Sequence, residues 1–493
     1  GLLSVAGGAA GLALGFAGVK ALLTVSPAGL PRIGENGAGV GVDWRVLGFA
    51  LGVSALTGIV FGLFPALAAS RANLNLTLKE GGSRLGTGLR QGRTRALLVV
   101  SEVSLAVVLL IGAALLIRSF IALRGVDPGF DAHDVLTMEM SLNGGRFENA
   151  AGVAQLARMG RDRLNTIPGV EDSAFTCCLP IESEFALPFT IVGRPMPDDK
   201  DMPGAGWAEI TPGYLNVFHI PLLRGRELTN DDDGGAQPVA MINEAAARKF
   251  WPNQDPLGQQ IEIGKEDGLP DPTRVIVGVV GNTHASGLNR APGATIFVPV
   301  GQVGDAMAAV TMKSVPGRWV VRTHGDPHSY IAAVTEKLRA ASGGFAVGNV
   351  RTMEDVNGRS TARQSFNMLL LTIFGAMALI LAAIGIYGLM AYSVAQRTQE
   401  MGIRMALGAD ASSIRNLVVW QGMRLTLAGL AAGLIVAFGL SRFIASFLFG
   451  VTAWDPVAFA AVPIVLAGVA LLAVWLPATR ASRVDPAQAL RQE

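Results

Sequence analysis

Six stretches of almost unbroken apolar residues stand out along the chain, at Leu2–Val25, Val46–Ala68, Ala96–Phe120, Met368–Val394, Leu417–Ala445 and Val457–Leu476. About 20 apolar residues in a helix cross the hydrocarbon layer of a bilayer, and each run is long enough to do so. Between the third and fourth runs, from Ile121 to Gln364, the pattern becomes that of a water-soluble domain. VLTMEMSL (Val135–Leu142) alternates as a strand does, and Ala150–Ile167 has helical spacing closed by Pro168-Gly169. PVAMINEAAARKFW (Pro238–Trp251) reads as a strand running into a helix. RVIVGVVG (Arg274–Gly281) reads as a buried strand, and RWVVRTHGDP (Arg318–Pro327) as a strand and turn before a helix at Tyr330–Ala341. Strands alternating with helices predict compact βαβ-like lobes. The expected fold is a membrane protein: an α-helical transmembrane bundle of six spans, with a large mixed α/β extracytoplasmic domain inserted between the third and fourth spans.

Composition agrees. Half of the 493 residues are hydrophobic and 16% are charged, where soluble domains carry about a quarter. The net charge of +2 gives no footing for nucleic acid. The placement of the charges is more informative. Arg71, Lys79, Arg84, Arg90, Arg93 and Arg95 follow the second run against Glu80 alone. Arg397, Arg404 and Arg415 follow the fourth, and Arg480, Arg483 and Arg491 the sixth. Simple alternation of spans puts all three groups on one side, which is the cytoplasm by the positive-inside rule. The C-terminus is then cytoplasmic and residues 121–364 lie outside, in the periplasm of a cell inner membrane.

A repeat is written into the runs. PALAASR (Pro65–Arg71) follows the second and PATRASR (Pro477–Arg483) the sixth. The same register pairs Asp43 with Asp455 before each span and Leu78 with Leu490 after it. Duplication of a permease explains this. Residues 1–83 are then the last two spans of a first copy whose front is missing, since the sequence opens at Gly1 inside an apolar run. Residues 84–120 are the cytoplasmic segment and first span of a second copy, 121–364 its external core domain, and 365–493 its remaining three spans.

Between the fourth and fifth runs lies RTQEMGIRMALGA (Arg397–Ala409), an amphipathic stretch with Met401, Ile403, Met405 and Leu407 among its charges. Glu400 and Arg404 stand at i,i+4, which supports a helix by a few tenths of a kcal/mol, and Gly408 can end it in a left-handed cap. Such a helix either anchors neighbouring spans at the interface or meets a partner. Other chemistry is sparse. A phosphate cradle, Gly-x-x-x-x-Gly-Lys-Ser/Thr, does not occur; Gly264-Lys265 is followed by Glu266. We therefore expect no enzyme, no cofactor and no metal in this chain. NDDDGG (Asn230–Gly235) lacks the spacing of a calcium loop, and the five histidines are scattered. Cys177 and Cys178 adjoin; a vicinal disulfide is rare, so two small half-buried residues are expected. Glu102 lies about 10 Å into the third span. A membrane-embedded carboxylate is a candidate functional residue, although pairing with Arg95 gives it a structural reading. Lys20, near the outer end of the first span, can snorkel.

Several strings together resemble the macrolide-exporter/FtsX family of ABC transporter permeases, most of all its duplicated, acidobacterial-type members. LLIRSF with VDPGFD (Leu115–Asp131) is similar to the family's exit from a first span. IPLLRGRELTNDD and VAMINEAAARKFWPNQDPLGQQI (Ile220–Ile261) resemble its periplasmic core domain, as do IVGVVGNTHASGL (Ile276–Leu288) and FVPV, although VVGDV is the commoner form at that turn. RTQEMGIRMALGA resembles the family signature, with Met401 in place of the usual isoleucine. The resemblance implies that Arg397, Glu400, Met401, Ile403, Arg404, Leu407 and Gly408 form a coupling helix seated in a separate cytoplasmic ABC ATPase subunit. It implies a permease subunit that passes ATP-driven motion to the external domain for export or efflux, with the bilayer and an extracytoplasmic protein or exported substrate as further partners. The alternative it leaves is a non-transporting regulator or scaffold for a partner such as a cell-wall hydrolase.

Overall fold

The structure is a computed structural model and describes residues 2–25, 43–70, 85–142, 147, 149–182, 185–194, 203–264 and 271–483. The chain divides into two compact units, one of Gly1–Arg124 with Arg363–Glu493 and one of Gly125–Ala362.

The first unit is helical. Its elements are α1 (Leu2–Val25), α2 (Trp44–Ser70) and α3 (Leu85–Arg124), then, after the inserted unit, α10 (Ala362–Gln396), α11 (Thr398–Ala406), α12 (Ala411–Ile444) and α13 (Pro456–Ala481). Among the described residues, four helices are long and apolar enough to cross a membrane: Ala96–Arg124, Ala362–Gln396, Ala411–Phe447 and Pro456–Ala481. The two runs expected to span first do form α1 and α2, but the apolar lengths described within them are short, Gly7–Gly18 and Trp44–Leu56. Among the described residues, α3 is thus the first of four helices with the length and composition of a span. Of the repeat, Asp43 accepts from the Arg45 N–H at 2.9 Å and Asp455 from the Ala458 N–H at 2.9 Å, so both begin a helix in the same manner. Leu78 and Leu490 lie outside the described residues, as do Arg71, Lys79, Glu80 and Arg84.

Small residues bring the bundle helices together. A Cβ on Gly429 would stand 2.7 Å from Val103 Cβ, one on Gly433 2.7 Å from Val107 Cβ, and one on Gly422 2.6 Å from a Val474 methyl. α12 thus lies close against α3 and α13, the kind of approach that small residues permit in lipid. The shared core runs through Val103, Val107, Ile111 and Leu115 of α3, Ile386 and Met390 of α10, and Leu466, Ala470 and Val474 of α13.

The second unit contains β1 (Val135–Met140), α4 (Ala150–Leu164), β2 (Val170–Thr176), β3 (Ala186–Ile191), β4 (Gly204–Ile210), α5 (Tyr214–Phe218), β5 (Leu222–Gly225), β6 (Val239–Asn243), α6 (Glu244–Phe250), β7 (Gln260–Ile263), β8 (Arg274–Val280), β9 (Thr295–Pro299), α7 (Asp305–Ser314), β10 (Gly317–Thr323), α8 (Ile331–Ser342), β11 (Val347–Thr352) and α9 (Met353–Ser360). The strands make one sheet in the order β11-β1-β10-β2-β4-β3-β7-β8-β6-β9, and β4 also pairs with β9. The strands from β4 to β9 therefore close into a ring, which leaves no free edge there, while β2, β10, β1 and β11 extend from it as an open sheet. The expected βαβ-like lobes need correcting. Only β4–β9 and β6–β8 are parallel, and the other pairings are antiparallel. The one helix that links parallel partners, α6, starts where Asn243 accepts from the Ala246 N–H at 3.0 Å. α4 and α8 cover the open sheet over a core of Trp319, Phe175, Leu156, Leu338 and Met138.

The cysteines also differ from expectation. Both are buried, and they are joined as a vicinal disulfide. They lie in the turn that ends β2, where Thr176 Oγ1 donates to the Cys178 carbonyl at 3.2 Å and the Glu209 N–H donates to Cys177 Sγ at 3.3 Å.

Candidate functional site

The stretch that the sequence singled out is α11. α10 breaks at Arg397 (φ −110°, ψ 16°), where Thr398 Oγ1 donates back to the Val394 and Ala395 carbonyls at 3.1 Å. α11 then runs for nine residues. It closes with Gly408 at φ +96°, where the Gly408 N–H donates to the Met405 carbonyl at 3.0 Å and the Ala409 N–H to the Arg404 carbonyl at 2.9 Å. These are the two hydrogen bonds of a Schellman cap. Only a residue that tolerates the left-handed region fits there without strain.

The faces of α11 divide sharply. Met401 and Gly402 are buried, and Met401 and Met405 pack on the core of the bundle. Leu407 is 83% exposed and Ile403 42% exposed, and Arg397, Glu400 and Arg404 are exposed beside them. Arg404 donates to Glu400 Oε1 at 2.5 Å, with both side chains about half exposed. The four apolar residues expected to act together therefore do not. Met401 and Met405 hold the helix to its own bundle, whereas Ile403 and Leu407 face outward with the charges. Helical geometry contains this signal, because 401 and 405 lie one turn apart and 403 and 407 share another face.

Glu102 on α3 packs against α10 at Gly385, where a Cβ would stand 2.1 Å from its Oε2. Gly385 makes room for the carboxylate. No described residue forms an ion pair with it, and the Arg95 side chain expected as its partner is outside those described. Glu102 and α11 are thus separate features of the same unit.

Two arrangements were not foreseen. At the other end of the bundle Arg118 of α3 pairs with Asp455, the N-cap of α13, and Ser119 Oγ accepts from the Phe449 N–H at 2.7 Å. The Asp-Pro before the last span was the available signal. In the second unit, Arg274 is wholly buried and holds Asp271 at 2.6 and 2.8 Å. Glu209 lies near that pair, 2% exposed, with one carboxyl oxygen unpartnered. Burial, with the charge of Asp271 added, outweighs the Thr311 hydrogen bond and Arg274 and pushes its pKa up to about 8. The carboxyl is neutral at pH 7. Among the described residues no cluster of His, Cys, Asp and Glu has the arrangement of a metal site.

Comparison with known proteins agrees with both units. Residues 191–341 match the MacB-like periplasmic core domain and residues 372–486 the FtsX-like permease C-terminal domain. The macrolide export ATP-binding/permease protein MacB of Aggregatibacter actinomycetemcomitans is 29% identical over 245 residues, 48% of this chain and 36% of that protein. MacB of Escherichia coli (strain K12) is 27% identical over 289 residues, 57% of this chain and 42% of that one. The chain spans less than half the length of these curated relatives. The periplasmic region of MacB from Actinobacillus actinomycetemcomitans aligns over 48% of this chain and 95% of its own, at 16% identity and a TM-score of 0.31, an overlap too loose to support detail. The chain thus carries, in this order, a region similar to the MacB-like periplasmic core domain and a region similar to the FtsX-like permease C-terminal domain.

Proposed function

We propose that the chain is the permease part of an ABC-type transporter and transmits ATP-driven motion, generated in a separate cytoplasmic ATPase, to its extracytoplasmic unit. The relatives carry ATP binding in their names, and these 493 residues hold no Gly-x-x-x-x-Gly-Lys-Ser/Thr cradle, which supports an ATPase that lies outside them. The observation that carries the reading is the divided face of α11. Two methionines fix the helix to the bundle, and Ile403, Leu407, Glu400 and Arg404 are left outward. An exposed apolar pair flanked by charges fits a partner groove, where the apolar residues supply affinity and the charges fix orientation. In this reading α11 and the C-terminus are cytoplasmic and residues 121–364 periplasmic.

The test is stimulation of the ATPase that copurifies with the intact protein. Glu400→Lys and Arg404→Glu should each abolish stimulation without altering expression or melting, because the pair contributes only a few tenths of a kcal/mol to the helix. Unchanged stimulation in both variants refutes the proposal. Because Cys177 and Cys178 are buried and paired, topology is best read with new cysteines at exposed Leu223 and Leu407. An impermeant thiol reagent should reach the first from outside and the second only after cells are opened.

A further inference from the structure

Three arginines lie along α12, at Arg415, Arg424 and Arg442. Two of them have an evident use. The Arg415 guanidinium lies over the Trp475 ring of α13, 5.1 Å from its centre. Arg442 stands in the last turn, where a cation meets the negative end of the helix. Arg424 stands in the middle of the helix, exposed, and no described residue gives it a hydrogen bond, an ion pair or a ring. A bare guanidinium in hydrocarbon is costly, so an arginine in this position on a span takes its anion from outside the protein. The rings around Arg424 mark its depth. Trp420, one turn before it on the same face, is 62% exposed. Gly422 lies against α13, where a Cβ would stand 2.6 Å from a Val474 methyl, so Trp475, 47% exposed, is at the same level. Trp454, also exposed, stands just before α13, and Trp475 lies nineteen residues beyond the first residue of that helix, about 28 Å. The hydrocarbon layer is roughly 30 Å thick, and tryptophans gather at its two boundaries. Trp420, Arg424 and Trp475 therefore stand together at one boundary, on the side of α11.

We propose that Arg424 and Trp420 form a headgroup site for an anionic phospholipid, in the leaflet at the α11 end of the bundle. Side chains on a helix lean toward its N-terminus, which for α12 is the α11 end. The Arg424 guanidinium is thereby carried out of the hydrocarbon to the level of Trp420. There it presents a planar fork of N–H donors that matches two oxygens of a phosphate. The Trp420 ring lies on the acyl chains and offers its N–H to the ester region above them. Charge decides which phospholipid is held. Of the acids near this end, Glu400 is taken by Arg404, Asp410 accepts from Ser412 and Glu102 faces Gly385 of α10. Arg415, Arg480 and Arg483 stand at the same end and make no ion pair with a described residue. A zwitterionic headgroup brings an ammonium into this positive field, whereas an anionic one is drawn to it. The site needs only that α12 crosses a bilayer, so it stands or falls apart from any ATPase at α11.

The test is native mass spectrometry of the full chain in detergent, titrated with phosphatidylglycerol or with phosphatidylcholine. The wild type should hold one phosphatidylglycerol more tightly than any phosphatidylcholine. Arg424→Gln should weaken that lipid about tenfold, the worth of one charge-assisted pair. Arg424→Lys, which keeps the charge and loses the fork, should weaken it less, and Trp420→Ala should weaken it a few-fold. All three variants should melt as the wild type does, because both side chains are exposed. Millimolar inorganic phosphate should not displace the lipid, since it has no acyl chains to place it at this depth. Equal affinity for the two lipids, unchanged affinity in Arg424→Gln, or displacement by inorganic phosphate would overturn the site.

Discussion

The two units bury their cores by different means. In the second unit the core is built on large rings. Trp319 is fully buried, meets Phe175 edge-on at 5.4 Å and lies under Gly160, where a Cβ would stand 2.1 Å from its ring. Phe147 and Phe345 meet the same way at 5.1 Å. In the bundle the shared core is mostly valine, alanine and isoleucine, and glycines of α12 lie close against valines of α3 and α13. Ile384, Ile435 and Ile464 lie exposed on the bundle's outside, where lipid is the solvent. Water drives apolar volume together in the first case. Lipid gives no such push, so the helices of the second must gain from close approach.

Replacing Trp319 with Ala should break this contrast at its strongest point. About 3–5 kcal/mol is expected for loss of so large a buried ring, confined to the transition of the second unit in calorimetry of the full chain. A single transition shifted as a whole would show that the units do not melt separately. Glu209→Gln sharpens the contrast through pH. A carboxyl whose pKa rises from 4.5 to about 8 on folding contributes fully below pH 4.5 and loses that contribution as pH climbs to 8. The wild-type unit should lose a few kcal/mol across this window that the Gln variant keeps, read as a flatter profile of melting temperature against pH. Gly433→Leu tests the bundle. The new side chain meets Val107 and the Ser104 carbonyl and should cost about 1–3 kcal/mol, seen as easier unfolding in detergent with the transition of the second unit unmoved. Asp455→Ala removes a helix cap and the partner of Arg118; about 1 kcal/mol is expected, in the bundle alone.

The sequence displayed the local features well. The alternation at Val135–Leu142 became β1, the spacing at Ala150–Ile167 became α4, and VAMIN with EAAARKF became β6 and α6. Closure of the ring was not legible. Gly206 of β4 pairs with Thr295 of β9 across a long stretch of chain, and a strand's pattern names its buried face without naming its neighbour. The site divides in the same way. The extent of α11 and its glycine stop can be read from RTQEMGIRMALGA, and the opposition of Met401 and Met405 to Ile403 and Leu407 follows from helical spacing. That Gly385 opposes Glu102, or that Asp131 gathers two histidines, depends on packing between distant segments, which no local spacing encodes.

The ion pair at the far end of the bundle has a consequence for how the protein is made. Arg118 and Asp455 lie 337 residues apart, and the whole second unit is synthesised between them. At roughly 5–20 residues per second, α3 waits on the order of half a minute in the bilayer before α12 and α13 reach it. During that interval the valines of α3 that face Gly429 and Gly433 lack their partner helix, and the second unit, complete in sequence before α12 is made, has time to fold first.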